Sequence, residues 1–189
     1  GMTMEFDAYA KQYDDNFMGK GSKRFYRDLL KELEIAEGDS VLDVGCGTGY
    51  ILSCIGEQRQ IQGFGLDVSE PMIAVAKEKH QGYEFVVGDC AKLPYDDASM
   101  DVVTACMAYH HFPNQEGFRK EVLRVLKPGG KFYLCDPRFP WIVRGFFNTF
   151  FKDSGFRTVR RNEKDFEQTG FRHIRSVKDF YVQVISFEK

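Results

Sequence analysis

Three carboxylates and three glycines hold the chemistry this sequence offers. In "VLDVGCGTG", residues 41–49, an apolar run leads into Gly45-Cys46-Gly47-Thr48-Gly49, with Asp43 two residues ahead of the first glycine. Glycine allows backbone conformations and close approach that a Cβ forbids. A helix opening directly after the loop would present its N-terminal N–H groups to a ligand. Asp43 selects the ligand's sign: it would repel a pyrophosphate but suits a molecule carrying an ammonium and a sulfonium. It could also merely bond backbone groups of the turn. Asp67 stands 18 residues past Gly49, near the roughly 20-residue spacing at which an acid meets a ribose diol. An N-cap role is the alternative, but Ser69 already fills it. In "VVGDCAKLP", Asp89 could accept an adenine amino hydrogen while the Cys90 amide addresses a ring nitrogen.

Such acids must stand at the ends of strands. Short runs at 40–44, 61–67, 83–87, 100–106 and 131–135, several rich in β-branched and aromatic residues, read as strands separated by helix-sized segments. Their alternation predicts right-handed βαβ units. Two last strands, within 171–180 and 181–187, are too close in sequence for a parallel crossover and must pair antiparallel. The expected fold is therefore α/β: a doubly wound, mostly parallel, seven-stranded Rossmann-like sheet with helices on both faces and an antiparallel last strand. Between the strands, a helix over about 50–57 follows the loop. Ser69 and Pro71 open another, with Met72, Val75, Ala76 and Lys79 on one face. Phe118, Val122, Val125 and Leu126 mark a third that Pro128-Gly129-Gly130 should halt. Asn162, with Asp165 three positions on, suggests a capped helix ending at Gly170. Before the first strand, Phe6, Tyr9, Ala10, Tyr13 and Phe17, then Phe25, Leu29 and Leu33, recur at helical spacing.

The 189 residues suffice for one domain, 1–189, without a low-complexity linker. Its parts are helices over 1–36, a ligand-binding core over 37–136 and substrate-side elements over 137–189. No apolar run approaches the roughly 20 residues that span a bilayer, and no signal-peptide pattern follows the start. Stable membrane insertion is not expected, and a cytoplasmic location is. Cys46, Cys54, Cys90, Cys106 and Cys135 lack paired metal-ligand spacing, so neither metal nor disulfide is expected. A net charge of −2 gives no general attraction to nucleic acid. Residues 137–189 nevertheless hold 11 Lys/Arg against 6 Asp/Glu, and the remainder 15 against 22. That asymmetry fits either a solvated basic face or an anionic substrate.

"VLDVGCGTG", "GLDVSEPMI", "GDCAKLPYDDASMDVV" and "VLRVLKPGGKFYL" together resemble, in order, the motifs of class I S-adenosylmethionine-dependent methyltransferases over about residues 40–136. "FDAYAKQYD" and "AYHHF" are similar to the small-molecule branch that includes the ubiquinone and menaquinone biosynthesis methyltransferases. The resemblance implies S-adenosylmethionine as cofactor and S-adenosylhomocysteine as product. It places the backbone of Gly45, Cys46, Gly47 and Gly49 around the methionine portion, Asp67 on the ribose hydroxyls, and Val68 and Met72 beside the adenine. Asp89, Cys90 and Ala91 then lie at the adenine edge, Ala105 and Cys106 near the reactive methyl, and Tyr13 in an N-terminal helical lid.

The implied reaction moves a methyl group in line onto a small-molecule acceptor. His110 and His111, after the fourth strand, are the candidate bases; in an extended segment only one of two neighbours would face the pocket. Trp141, Phe146, Phe147, Phe150 and Phe151 could roof an apolar or aromatic acceptor, or simply pack as core. Arg157, Arg160 and Arg161 are candidates for holding an acid group. The short chain leaves room for a partner subunit or a second copy, hence a homodimer, to complete the substrate side. A nicotinamide-dependent oxidoreductase and a non-catalytic cofactor-binding regulator remain the alternatives.

Overall fold

The computed structural model describes residues 21–139 and 157–189. Along the chain run α1 (Ser22–Glu32), β1 (Ser40–Val44), α2 (Tyr50–Gln58), β2 (Gln62–Asp67), α3 (Glu70–Lys79), β3 (Glu84–Val87) and β4 (Met100–Cys106). A 3-10 turn (Tyr109–His111), α4 (Gln115–Val125), β5 (Leu126–Pro137), α5 (Val159–Thr169), β6 (Arg172–Asp179) and β7 (Val182–Glu188) follow. The strands form one sheet in the order β3-β2-β1-β4-β5-β7-β6. β1 to β5 pair in parallel, and β7 runs antiparallel to both its neighbours. The expected seven-stranded, mostly parallel sheet is the observed one. The acid-bearing ends of β1, β2 and β3 are consequently neighbours at one edge of it.

Alternation along the central strands sorts the core into two layers. Leu42, Val44, Val103, Phe132 and Leu134 face α4 and α5, joining Phe118, Phe166 and Phe187. Val41, Val102, Tyr133 and Cys135 face the other way, onto Phe25 and Leu29 of α1, Ile51 and Ile55 of α2, and Ile73 of α3. The first layer is aromatic: the Phe166 ring stacks on Phe187 at 4.6 Å and on Phe132 at 5.1 Å between centroids. Each such fully buried ring contributes about 2 kcal/mol or more by leaving water.

Three local expectations change. Ser69 does cap α3, accepting from the Met72 N–H at 3.3 Å. The helix buries Ile73, Val75 and Ala76, however, and leaves Lys79 exposed. α4 stops at Val125 because Leu126 is already extended and pairs with Met100; Pro128-Gly129-Gly130 instead lies where the β4–β5 register shifts, with Gly129 at φ +80°. α5 starts at Val159, capped by the Thr158 hydroxyl. Asn162 is buried and donates to the Gln183 side chain at 3.0 Å. A side chain that looks like a cap in sequence is here recruited by the neighbouring strand.

Candidate cofactor and acceptor site

Beyond the carboxyl ends of β1, β2 and β4, a cavity of about 340 Å³ opens around the glycine loop. The loop is sewn to the end of β2: the N–H groups of Gly45 and Cys46 donate to the Leu66 carbonyl at 2.7 and 3.1 Å, and the Gly47 N–H donates to Asp67 Oδ2 at 2.9 Å. Gly45, at φ +77°, lies so close to the segment after β4 that a Cβ would come within 2.5 Å of the Ala108 Cβ. Gly47, at φ +53°, faces open space. Its backbone is one bare wall of the cavity.

Asp43 is buried, 2% exposed, and accepts the Thr104 hydroxyl hydrogen at 2.7 Å. Among the described residues no Lys, Arg or His pairs with it. Burial therefore pushes its carboxyl up to about 7, with Asp67 adding repulsion and Thr104 opposing. Asp67 accepts from Gly47 and, through Oδ1, from the Ser69 N–H at 3.0 Å. A carboxylate has about four acceptor directions, so two stay open. Asp89 Oδ1 accepts from the Ala91 N–H at 2.9 Å. Val68 is an apolar side chain 75% exposed on the cavity rim, with Met72 beside it.

Against the glycine loop the chain leaves β4 through Met107, at φ +55° and held by its N–H to the Cys135 carbonyl at 2.8 Å. This places Met107, Ala108, His111, Phe112 and Pro113 on the wall. Only one of the adjacent histidines lines the cavity, although they lie in a 3-10 turn rather than an extended segment. His111 lines the cavity; His110 is buried and bonded through Nδ1 to Asp136 Oδ1 at 2.8 Å. Burial, reinforced by His110 and opposed by Asp136, holds His111 below its usual basicity. Burial pushes the Cys90 thiol up to about 11 and raises Cys46 further, so neither is an available thiolate near neutral pH.

Comparison with known proteins fits this geometry. The family model described as a methyltransferase domain matches residues 42–134. The demethylmenaquinone methyltransferase of Chlorobaculum tepidum is 33% identical over 142 residues, which are 71% of this chain and 59% of that protein. The chain belongs to the class I S-adenosylmethionine-dependent methyltransferases. Among solved structures, the chain in complex with the Haloferax volcanii Trm112 methyltransferase activator superposes with a TM-score of 0.82, covering 97% of both chains at 24% identity. A SAM-dependent methyltransferase from Aquifex aeolicus gives 0.76 over 96% of this chain and 97% of its own, at 22% identity. These structural likenesses show the fold. The chain spans 59% and 54% of the length of two curated demethylmenaquinone methyltransferases it matches.

The residues present fit the methyltransferase cofactor. Among the described residues the buried Asp43 carboxylate has no basic partner and could take an ammonium, Asp67 has acceptor capacity left for hydroxyls, and the open face of Gly47 is a cradle that a Cβ would fill. The nicotinamide alternative gives way to this family. Of the expected site residues, the structure brings together Asp43, Gly45, Cys46, Gly47, Asp67, Val68, Met72, Asp89, Cys90, Cys106 and His111. Four do not line the cavity. Gly49 is needed for its φ of +89° and for its contact with Phe85 and His80; Ala105 is in the core; Ala91 offers its backbone to Asp89; His110 faces Asp136.

Tyr13 and the aromatic run Trp141, Phe146, Phe147, Phe150 and Phe151 lie outside the described residues. Neither Arg157, Arg160 nor Arg161 lines the cavity, and Arg161 pairs with Asp165 at 3.0 Å. Tyr26 and Tyr50, packed edge to face at 4.7 Å, line it without having been expected. Helical spacing had marked neighbouring positions of α1 as core, and an aromatic one residue off that stripe carried no signal. Among the described residues no group of three His, Cys, Asp or Glu could hold a metal, and no helix is long and apolar enough to cross a membrane.

Proposed function

We propose that this protein transfers the methyl group of S-adenosylmethionine to a small, apolar or aromatic acceptor whose reacting atom sits beside His111 in the cavity. The observation that carries this reading is that one cavity is lined both by the Asp43–Gly47–Asp67 cradle and by His111, Met107 and Phe112. When bound, the cofactor supplies a methyl group on a positively charged sulfur.

The chain's own residues do the rest. Asp43 takes the ammonium, Asp67 the ribose hydroxyls, and Asp89 with the Cys90 amide the purine edge, while Val68 and Met72 cover its faces. Tyr26, Met107 and Phe112 exclude water and align the acceptor. For a hydroxyl acceptor, a His111 ring nitrogen would receive the O–H proton as the acceptor oxygen takes the methyl group that the cofactor, leaving as the neutral thioether, would supply, and would pass that proton on to solvent. Curated relatives named for demethylmenaquinone and sterol methylation support a lipidic acceptor. A homodimer that completes the acceptor side belongs to the same proposal, and light scattering reads it directly.

The test is calorimetric titration with S-adenosylhomocysteine, followed by a radiolabelled methyl-transfer screen over quinol precursors, phenols, amines and carboxylic acids. Binding with turnover on a phenolic or quinol acceptor is expected. Tight binding with no transfer to any acceptor would leave a cofactor-binding regulator, and no binding at all would sink the assignment of the cradle.

A further inference from the structure

His110 and Asp136 lie outside the cavity wall, yet both are buried and ionisable, and together they abut the one histidine that reaches the cavity. The Nδ1–Oδ1 distance is 2.8 Å, with His110 7% and Asp136 2% exposed. The two histidine rings stand 3.9 Å apart between centroids, tilted 44°. Topology fixes this arrangement. β4 and β5 pair Cys106 with Cys135, so Asp136 stands level with the point where Met107 turns the chain out of the sheet. Gln115 donates to the Tyr109 carbonyl at 3.0 Å, and Arg119 to the Tyr109 hydroxyl at 2.9 Å, which clamps the turn from α4.

Resting on the methyl-transfer reading above, we propose that Asp136 is the buried counter-charge of His111: acting across the tilted, close-packed ring of His110, its carboxylate stabilises the imidazolium that forms when His111 takes the acceptor's proton. His110 and Asp136 are thus positioning residues for a base they do not touch through a hydrogen bond. His111 is exposed on the cavity wall, yet the partial desolvation there disfavours its charged form and lowers its proton affinity. His110, when charged, would lower it further, and Asp136 is the group that opposes both. The other ionisable groups facing the cavity are Asp43, Asp67 and Asp89 on the cofactor side, the thiols of Cys46, Cys90 and Cys106, and the phenols of Tyr26 and Tyr50. Behind the histidine pair, Asp136 also acts on Tyr109, whose hydroxyl accepts from Arg119, and Gln183 of β7 stands opposite Asp136.

Histidine resonances test this without knowledge of the acceptor. The sequence has only four histidines, so His111→Asn identifies the signal by its loss. On the full chain loaded with S-adenosylhomocysteine, Asp136→Asn keeps an oxygen for His110 and removes the charge. The His111 midpoint should fall by about half a pH unit or more, roughly a threefold loss of proton affinity. Asp136→Glu, which restores the charge, should return it toward the parent value. An unmoved His111 midpoint in folded Asp136→Asn, or equal shifts in the Asn and Glu variants, would overturn the proposal and leave the pair a structural one. Should Asp136→Asn not fold, Asp136→Ser carries the same comparison. Calorimetry on the parent separates the two readings, since failure to bind S-adenosylhomocysteine would sink the cofactor cradle while the His111 titration, run on the free chain, still decides the role of Asp136.

Discussion

The two ends of the parallel strands carry hollows that differ in what their charges already hold. At the amino ends, a space of about 670 Å³ lies among the end of α1, α2 and the start of β5, larger than the cavity at the carboxyl ends. Of its six charged side chains four pair within the fold, while Asp39 and the exposed Arg59 hold backbone partners. Lys127 pairs with Asp101 at 3.2 Å, Lys131 pairs with Glu34, and Asp39 accepts from the Ala36 N–H at 2.9 Å. At the carboxyl ends Asp43, unlike the partly exposed Asp39, is buried with a hydroxyl donor and no cation among the described residues. Size therefore does not mark the site. Unspent electrostatic capacity does, because a group satisfied by its own chain has nothing to give a ligand.

The contrast can be broken most severely at Gly45. Gly45→Ala would press a methyl against Ala108 at a φ of +77° and move the loop off β2; S-adenosylhomocysteine affinity should fall by about a hundredfold or more in calorimetry, a loss of about 3 kcal/mol. Asp67→Ala, which removes an acceptor from Gly47 and Ser69 as well as from the ligand, should weaken binding by roughly ten- to a hundredfold. Binding at an unchanged level would dissolve the distinction between the two ends.

Proton linkage sharpens the comparison next. Because the folded carboxyl of Asp43 titrates near 7, above its ordinary 3.8, the free protein binds an extra proton between those values. Its Asp43-dependent stability is full at low pH and declines as pH rises through about 4 to 7. Asp43→Asn should therefore raise the melting temperature at pH 8 while weakening the cofactor. In the parent, S-adenosylhomocysteine should bind more tightly as pH climbs from 6 to 8, because its ammonium prefers the carboxylate; affinity flat across that range would contradict the assignment. The smallest effect belongs to the other end. Lys127→Ala removes a half-exposed ion pair and should shift stability by less than about 1 kcal/mol, with cofactor affinity unchanged.

Much of this asymmetry was legible in the sequence because it is local. Each of Asp43, Asp67 and Asp89 follows an apolar run that can only be a strand, and strands in a doubly wound sheet bring their carboxyl ends together. What escaped was set by packing between distant elements. Gly49 looks like a ligand glycine, yet Phe85 and His80 claim its space. Asn162 looks like a cap, yet Gln183 of β7 binds it. Tyr26 looks like the solvent face of a helix until α1 is laid beside Tyr50. His110 and His111 are indistinguishable as neighbours in sequence; only the pairing of β5 with β4 decides which meets Asp136.

Gln183 has a reach that extends past its own strand. Fully buried opposite Asp136, its amide nitrogen donates to the carbonyls of Pro137 at 2.8 Å and Arg157 at 3.0 Å, the residues flanking the span between β5 and α5. One side chain thus staples together the exit and re-entry points of that span. Since loop closure grows only slowly costlier with length, such a staple lets evolution swap or lengthen the intervening stretch without disturbing the nucleoside pocket, so new acceptors can be tried on an unchanged chassis.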